Sequence, residues 1–382
     1  MPTVMLRARV LMVGVILAAS MSFTAAARPA TVDAACVNSN LSAAQLNAVF
    51  AKPNVGGTAT AKGYAGGDYQ RVYGLPDGRK LWLFQDMFFS ADNDLRDSLQ
   101  AAAHNAGLVQ TGTCWRLVGG PGMKNFIGSA QTVPLRRWYW AMDGAMGADG
   151  ALWIFMVEMQ NPNGTGAAWG ARPTGTWVAR LNPGTLQVLS FAKARDAGTR
   201  LYGWSIVSDD TYSYMYGHCY RQFTNKVNSA GQFDATCMPN AYLARVPKGQ
   251  FGAAPRYWTG TGWSANGASA RPVLTRGKAN PMDVSKFGNT YVNVTKIDEW
   301  WGSEVLVDRA SAPQGPWTTV QRVNILSNRR CSQCGIYHAH LLPYRDANNQ
   351  MVLSLSDGSP FSLWQRNAFL YRPQFMALPI PT

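Results

Sequence analysis

The chain has 382 residues, of which 47% are hydrophobic and 15% charged, and its formal net charge is +14 at pH 7. This length is sufficient for one large buried core, and no low-complexity linker divides the chain. No Lys/Arg run, zinc-finger spacing or other nucleic-acid recognition motif accompanies the positive charge, so we expect no nucleic-acid partner. The charge instead favours an anionic polymer such as an acidic cell envelope, or serves solubility alone.

Residues 1–27 have the three parts of a secretory signal peptide. Arg7 and Arg9 form the positive start, Val10 to Ala19 the apolar stretch, and Ala25 to Ala27 a small-residue cleavage site. The apolar stretch is too short for a membrane anchor. We therefore expect a secreted or envelope-associated protein without a transmembrane segment, whose mature chain has 33 basic and 21 acidic residues, a net charge of +12.

A short helix is predicted between the signal peptide and the main body of the protein. It lies in residues 28–63, where LSAAQLNAVFA from Leu41 to Ala51 has helical apolar spacing, and we expect it to pack on the outside. The main body is assigned to residues 64–382. Within it, the stretch from Asp92 to Asn105 is compatible with either a helix or an irregular loop, and His104 is expected at the surface.

The stretch GGDYQRVYGLPDGRKLWLFQDMFF, from Gly66 to Phe89, predicts a β-hairpin with a carboxylate at each outer end, Asp68 and Asp86. Its Asp-Gly turn between β-favouring residues is the strongest short-range hairpin signal. Repetition of antiparallel units at long period is typical of a β-propeller, so we predict an all-β fold with five blades, a large β-sandwich being the alternative. The same hairpin pattern occurs four more times, in MGADGALWIFMVEMQ from Met146, IVSDDTYSYMYGHC from Ile206, VSKFGNTYVNVTKID from Val284 and LPYRDANNQMVLSLSD from Leu342.

Six cysteines in an exported chain imply disulfide bonds. Cys219 and Cys237 bracket an insertion after the third hairpin, and a bond between them would close that loop. By elimination, Cys36 and Cys114 would join the N-terminal segment to the first blade.

The remaining two cysteines belong to a C-x2-C-x3-H-x-H pattern made by Cys331, Cys334, His338 and His340. These residue types can bind zinc. An oxidising compartment favours a local disulfide between the two cysteines instead, and no helix pattern follows them as a thioredoxin-type redox motif would require. We expect the disulfide and no metal site.

Candidate site residues follow from propeller geometry. The first strand of each blade lies nearest the axis, so the residues before it and after the second strand surround one opening. Several carboxylates among aromatic rings suit glycosidic-bond chemistry, which needs one protonated and one ionised carboxyl group, and burial or crowding separates their pKa values. The turn residues Asp77 and Asp149 are set aside. The candidates are Asp68, Asp86, Asp143, Trp204, Asp298, Glu299, Trp300, Glu304, His338 and His340.

Several segments resemble the domain of unknown function 4185, part of which is classed as glycoside hydrolase family 183, the endo-D-arabinofuranases. The resemblance covers roughly Tyr64 to the C-terminus and is carried by order and spacing. It implies a five-bladed propeller acting on D-arabinan of mycobacterial arabinogalactan or lipoarabinomannan. The matching segments are GGD, LPDGRKLWLFQDMF, MDGAMGADGALWIFMVEMQ, DEWWGSEVLVDRASAPQGPW and LYRPQFMALPIP.

Related propeller glycosidases imply three acidic residues on successive blades, a base, a pKa-tuning acid and a general acid. Asp68 and Asp143 match the first two positions. The third blade offers Gly203-Trp204 without an acid, so Glu304 of the fourth blade is expected to take that role. A second departure is Met87 after Asp86, where the resemblance implies Gly-Asp-Thr.

The sequence thus predicts an inverting endo-glycosidase and a monomer. Asp68 is expected as general base, Glu304 as general acid and Asp143 as the residue that maintains charge balance, while the other candidates contact a polysaccharide. No cofactor is required, although a structural cation near His338 or His340 at the axis would be compatible. Two alternatives stay open, a non-catalytic glycan-binding propeller and a metal-dependent hydrolase. A convergent carboxylate pair favours the enzyme, and aromatic shelves without such a pair favour the binder.

Overall fold

The structure is a computed structural model. The predicted signal peptide, the predicted Cys219–Cys237 bond, Glu299 and Trp300 lie outside the residues that it describes. None of the helices within those residues has the length and apolar composition to span a membrane. The described residues are 36, 40–58, 62–96, 103–119, 125–128, 137–160, 172–195, 200–218, 240–276, 282–298 and 302–381.

Strands dominate the described residues, in which α-helix is confined to α1 (Ala43–Phe50) and α2 (Phe361–Trp364). Short 3-10 helices occur at Gly267–Ser269, Leu326–Asn328 and Ala368–Tyr371. In chain order the strands are β1 (Gly63–Gly67), β2 (Arg71–Gly74), β3 (Lys80–Phe84), β4 (Met87–Ser90), β5 (Ala106–Thr111), β6 (Cys114–Val118), β7 (Arg137–Met146), β8 (Leu152–Gln160), β9 (Arg172–Leu181), β10 (Val188–Lys193), β11 (Ser205–Ser208), β12 (Tyr212–His218), β13 (Asn240–Pro247), β14 (Arg256–Trp258), β15 (Trp263–Ser264), β16 (Leu274–Thr275), β17 (Asp283–Phe287), β18 (Thr290–Lys296), β19 (Glu304–Ala310), β20 (Thr318–Asn324), β21 (Gly335–Arg345), β22 (Met351–Gly358) and β23 (Gln374–Leu378).

Five antiparallel sheets form the blades of a five-bladed β-propeller. Their strand orders are β2-β3-β5-β6, β7-β8-β9-β10, β11-β12-β13-β14-β15 with β16 also on β13, β17-β18-β19-β20, and β21-β22-β23. The first strands contact one another in the order β2, β7, β11, β17, β21 and back to β2, which closes a ring around one axis. The predicted fold is confirmed, and each of the five predicted hairpins forms the first two strands of a blade.

The first blade shows why these sequences form buried hairpins. The Asp77-Gly78 turn has Gly78 at φ +85°, and the Asp77 carboxylate accepts a hydrogen bond from the Arg79 amide at 3.1 Å. Every residue of β3 is buried because successive side chains point to opposite faces and both faces are covered. Trp82 packs in the cluster under α1, and Leu81 packs in the cluster shared with the second blade.

Helix α1 covers the outer strand of the fifth blade. A reciprocal capping box between Ser42 and Gln45 begins the helix, which satisfies amides at its N-terminus. Leu46 is buried against the core, and the Asn47 amide bonds the backbone of Phe375 in both directions, at 2.9 and 3.0 Å. The predicted helix and its position on the outside are therefore confirmed.

Two disulfide bonds lie within the described residues. Cys36 is bonded to Cys114 across 78 residues and joins the N-terminal segment to β6. Cys331 is bonded to Cys334 in the turn before β21, so these sulfurs are not available as zinc ligands. Both pairings agree with the sequence predictions.

We call the face where β2 begins and β3 ends the mouth of the propeller. At this face the first hairpin continues beyond its blade, since β1 pairs with β4. Helix α2 and the 3-10 helix Ala368–Tyr371 follow β22 in the chain and precede β23. The 3-10 helix contacts both β1 and α2. A Cβ at Gly66 would lie 3.2 Å from the Tyr371 carbonyl oxygen, a tight contact that glycine avoids. These four elements, β1, β4, α2 and the 3-10 helix, are the mouth wall.

Candidate active site

Asp68 and Asp86 lie opposite each other where the first hairpin passes into the mouth wall. The Asp68 amide donates to the Asp86 carbonyl at 3.1 Å, and the Asp86 amide donates to the Asp68 carboxylate at 3.1 Å. Antiparallel pairing on both sides fixes this arrangement, because β2 pairs with β3 and β1 with β4. Two of the predicted site residues are thus brought together at the mouth as a carboxylate pair.

The surroundings of Asp68 favour its protonated form near neutral pH. Burial, followed by the negative charge of Asp86, raises the pKa of Asp68 to about 7. The hydroxyl groups of Tyr337 and Tyr371 donate hydrogen bonds to the carboxylate, which offsets part of that increase. Asp68 is therefore suited to hold a proton that a reaction can take.

Asp86 has a different environment, with two N–H donors directed at one oxygen. His104 Nδ1 lies 2.6 Å from Asp86 Oδ1, and Trp140 Nε1 donates to the same oxygen at 3.0 Å. The His104 ring stacks on Trp138 with centroids 5.0 Å apart, and the His104 amide donates to Asn125 at 2.7 Å. Two ring nitrogens therefore hold the same oxygen of the Asp86 carboxylate.

The expected surface position of His104 is wrong. Its side chain is only 14% exposed and contacts Asp86. The preceding residue, Ala103, pairs with Met87 of β4 by two backbone hydrogen bonds of 2.9 and 2.8 Å, which draws the segment against the mouth wall. In its described parts the stretch from Asp92 to Asn105 is irregular, with no helix.

Further along the inner strands, a polar cluster occupies the axis. The Arg71 guanidinium lies 3.1 Å from the Asp283 carboxylate and 3.3 Å from His340 Nδ1, and His340 Nδ1 lies 2.9 Å from Asp283. All three side chains are buried. The carboxylate of Asp143 interacts electrostatically with all three groups. The cluster thus draws on four blades, with Arg71 on β2, Asp143 on β7, Asp283 on β17 and His340 on β21.

Asp143 belongs to this axial cluster and not to the mouth pair. Its carboxylate accepts hydrogen bonds from the Ile206 amide at 2.6 Å and the Gly144 amide at 2.8 Å. Burial raises the pKa of Asp143 to about 6, while the positive charge of Arg71 opposes that increase. A bulge between Ala141 and Gly144 places Asp143 here by shifting the register of β7.

Tyr69 separates the mouth pair from two other predicted site residues. Its ring stacks on His338 with centroids 4.1 Å apart and meets Trp204 edge-on at 6.3 Å. His338 is 0% and Trp204 1% exposed, so both lie beneath this ring. Tyr69 has φ +45°, a conformation that costs a non-glycine residue about 1–3 kcal/mol and that clusters at functional sites.

Two predicted residues of the fourth blade, Asp298 and Glu304, can be compared with this arrangement. Glu304 forms an ion pair of 2.9 Å with Arg322, and Asp298 is exposed after β18. Within the described ranges, no hydrogen bond or ion pair joins either of them to Asp68 or Asp86. The role of Glu304 as general acid stays a prediction without a supporting contact.

The residues described here contain no group of three or more His, Cys, Asp or Glu side chains arranged to hold a metal ion. The positive charge that contacts His340 at the axis is the guanidinium of Arg71. A further cation at this position would be opposed by that charge.

Sequence reasoning missed the groups that surround the mouth pair. Tyr69 directly follows Asp68, and Tyr337 precedes a histidine already selected, so adjacency to a candidate was an available signal. Tyr371 lies in the closing LYRPQF segment that carried the resemblance. His104 had no such signal, because its contact with Asp86 depends on tertiary structure.

The fold and this site define the chain as a five-bladed β-propeller with a carboxylate pair at one mouth. Residues 58–379 match the family described as Domain of unknown function (DUF5005), and the chain belongs to that family. This match does not extend to the domain of unknown function 4185, whose resemblance stays a hypothesis.

Two solved structures illustrate what the chain is similar to. A "putative hydrolase" from Bacteroides ovatus ATCC 8483 has a TM-score of 0.66 and 18% identity, over 87% of this chain and 88% of that one. A GH43_1 enzyme from Xanthomonas citri, complexed with xylotriose, has a TM-score of 0.48 and 15% identity, over 87% of this chain and 93% of that one. No curated protein matches the chain. At these identities the likeness concerns the fold alone.

Proposed function

We propose that this protein is a secreted glycoside hydrolase that cleaves a cell-envelope polysaccharide. The observation that carries the proposal is the pair formed by Asp68 and Asp86, whose two carboxyl groups have different surroundings at one mouth. An enzyme needs two carboxyl groups that converge on one site, whereas a glycan-binding propeller needs only aromatic surfaces. This pair favours the enzyme.

The pair supplies the two functions that glycosidic cleavage needs. Asp68, with a pKa raised to about 7, donates its proton to the leaving oxygen. Asp86, which accepts hydrogen bonds from His104 and Trp140, acts as the ionised carboxylate that attacks the sugar or activates water. Tyr337 holds the Asp68 carboxyl group in place. No cofactor enters these steps.

This assignment changes the roles expected from the sequence. Asp68 becomes the acid, and Asp143 keeps its expected part in the charge balance, beside Arg71 at the axis. If the neighbouring Asp86 attacks the sugar directly, the product retains its anomeric configuration, whereas Glu304 as acid with Asp68 as base would invert it. A first product that retains its anomeric configuration would therefore identify Asp86 as the nucleophile, whereas an inverted product would fit either carboxylate as the base that activates water.

The substrate proposed is D-arabinan in arabinogalactan or lipoarabinomannan, cut internally by a monomeric enzyme. The motifs that resemble glycoside hydrolase family 183 support this substrate, and the similar Bacteroides ovatus structure carries the description "putative hydrolase". The predicted signal peptide and the two disulfide bonds support secretion. The net charge of +12 expected for the mature chain suits an anionic envelope.

The test is to incubate the purified mature protein with mycobacterial arabinogalactan, plant arabinan and xylan, and to measure new reducing ends. We expect oligosaccharides from arabinogalactan with the wild type and none with Asp68→Asn. The matched control is Asp77→Asn, an acid of the exposed hairpin turn, which should cleave normally. Binding to the polymer without cleavage would instead support the glycan-binding alternative.

A further inference from the structure

The mouth wall exposes an aromatic ring at the start of α2. Phe361, the first residue of α2, is 54% exposed, which is unusual for a large hydrophobic side chain in the described residues. Its ring meets Trp364 edge-on with centroids 4.8 Å apart. Trp364 is itself partly exposed.

These rings connect directly to the proposed proton donor. Trp364 stacks on Tyr371 with centroids 5.0 Å apart and planes inclined by 17°. The Tyr371 hydroxyl group donates a hydrogen bond to Asp68. An unbroken series of aromatic side chains therefore leads from solvent to the carboxyl group.

The surrounding wall holds this series rigidly. Phe88 of β4 packs on Trp364 at 4.9 Å from the other side. The buried Arg372 follows Tyr371 and donates to the Asn93 side chain at 2.6 Å, which fixes the end of the 3-10 helix. The exposed polar residues Arg366 and Asn367 follow α2 directly in the chain. Rigid aromatic surface with a few polar groups is the composition of a ligand site.

We propose that Phe361 and Trp364 form a sugar-binding subsite of the polysaccharide substrate. The inference rests on the proposed function, because continuity with Asp68 identifies the occupant as a sugar unit of the chain being cleaved. The apolar C–H face of a sugar ring packs on an aromatic face, and its hydroxyl groups reach the polar residues beside it. A sugar bound on the mouth wall lies away from the bond under attack, so this subsite holds a unit of the polymer at a distance from the point of cleavage.

The test uses Phe361→Ala, whose exposure makes a folding defect small. On arabinogalactan, we expect KM to rise about three- to tenfold with kcat unchanged, which corresponds to the loss of one aromatic contact. Phe361→Trp, which restores a ring, should return KM to the wild-type value. The matched control is Leu189→Ala on β10, since Leu189 is 50% exposed on another blade and should leave KM unchanged.

Affinity electrophoresis in gels containing arabinogalactan separates this inference from the proposed function, because retention requires no cleavage. A wild type that is retained but does not cleave, with weaker retention of Phe361→Ala, would support the subsite and reject the hydrolase. An active wild type whose KM and retention do not change in Phe361→Ala would overturn the subsite and leave the hydrolase. A wild type that is not retained at all would also overturn the subsite.

Discussion

Replacing Arg71 by methionine should destabilise the propeller substantially, because this residue neutralises the axial cluster. Its guanidinium is 0% exposed and lies 3.1 Å from the Asp283 carboxylate. Removing one partner of a buried ion pair costs about 3–5 kcal/mol, since the other charge is left uncompensated. The Arg71→Met variant should therefore lose a large part of the free energy of unfolding.

Two features of the cluster place the expected loss at the lower end of that range. Asp283 keeps His340 as a hydrogen-bond partner after the substitution. Arg71 Nε and Nη2 are buried without a hydrogen-bond partner among the described residues, and their unfavourable desolvation disappears together with the guanidinium. We expect a loss of about 3 kcal/mol for Arg71→Met.

The assay is equilibrium urea unfolding at pH 7, which gives the free energy of unfolding. The matched control is Arg322→Met, which removes an ion pair with Glu304 in which the arginine side chain is 61% exposed, and it should cost about 0–1 kcal/mol. The double variant Arg71→Met/Asp283→Asn should be more stable than the sum of its single variants predicts. A loss below about 1 kcal/mol for Arg71→Met, or strict additivity, would refute the reasoning.

Three further predictions follow from individual contacts. The raised pKa of Asp68 means that the folded state binds this proton more tightly than the unfolded state does. The free energy of unfolding therefore falls as the pH rises from about 4 to about 7. Asp68→Asn should have a higher melting temperature than the wild type at pH 8 but not at pH 4. Cys36→Ser/Cys114→Ser opens a link across 78 residues and should lose about 4 kcal/mol in urea unfolding. His104→Leu removes a donor to Asp86 and should lower kcat/KM about tenfold or more with normal circular dichroism, and His104→Asn should recover part of it.

Each of these predictions has an outcome that contradicts it. Equal melting of wild type and Asp68→Asn at pH 8 would mean that burial does not hold a proton on this carboxyl group. An unchanged unfolding free energy without the Cys36–Cys114 bond would show that the N-terminal segment is not constrained by it. Full activity of His104→Leu would remove the argument that this contact prepares Asp86.

The propeller could be predicted because its hairpins are encoded locally. Asp77-Gly78 favours a tight turn, and the apolar run Leu81 to Phe84 of β3 requires cover on both faces. The pairing of Asp68 with Asp86 follows from the same register, since residues equidistant from a hairpin turn lie opposite each other. This part of the site was within reach of sequence reasoning.

The rest of the site depends on tertiary contacts and on one irregularity. The bulge in β7 places Asp143 beside Ile206 at the axis, which the two-residue period of a regular strand does not reveal. The contacts of His104 and Tyr371 with the mouth pair join segments far apart in the chain. The role of Arg71 was missed because the search concerned acids and histidines, whereas the axial charge is a guanidinium.

Asp86, and not Glu304, is the proposed partner of Asp68. The most direct test compares initial rates of Asp86→Asn and Glu304→Gln on the polysaccharide that the wild type cleaves, with both variants shown to be folded. We expect Asp86→Asn to lose activity by a factor of about 10² to 10⁴ and Glu304→Gln to keep nearly all of it. Normal activity of Asp86→Asn together with an inactive Glu304→Gln would contradict this assignment.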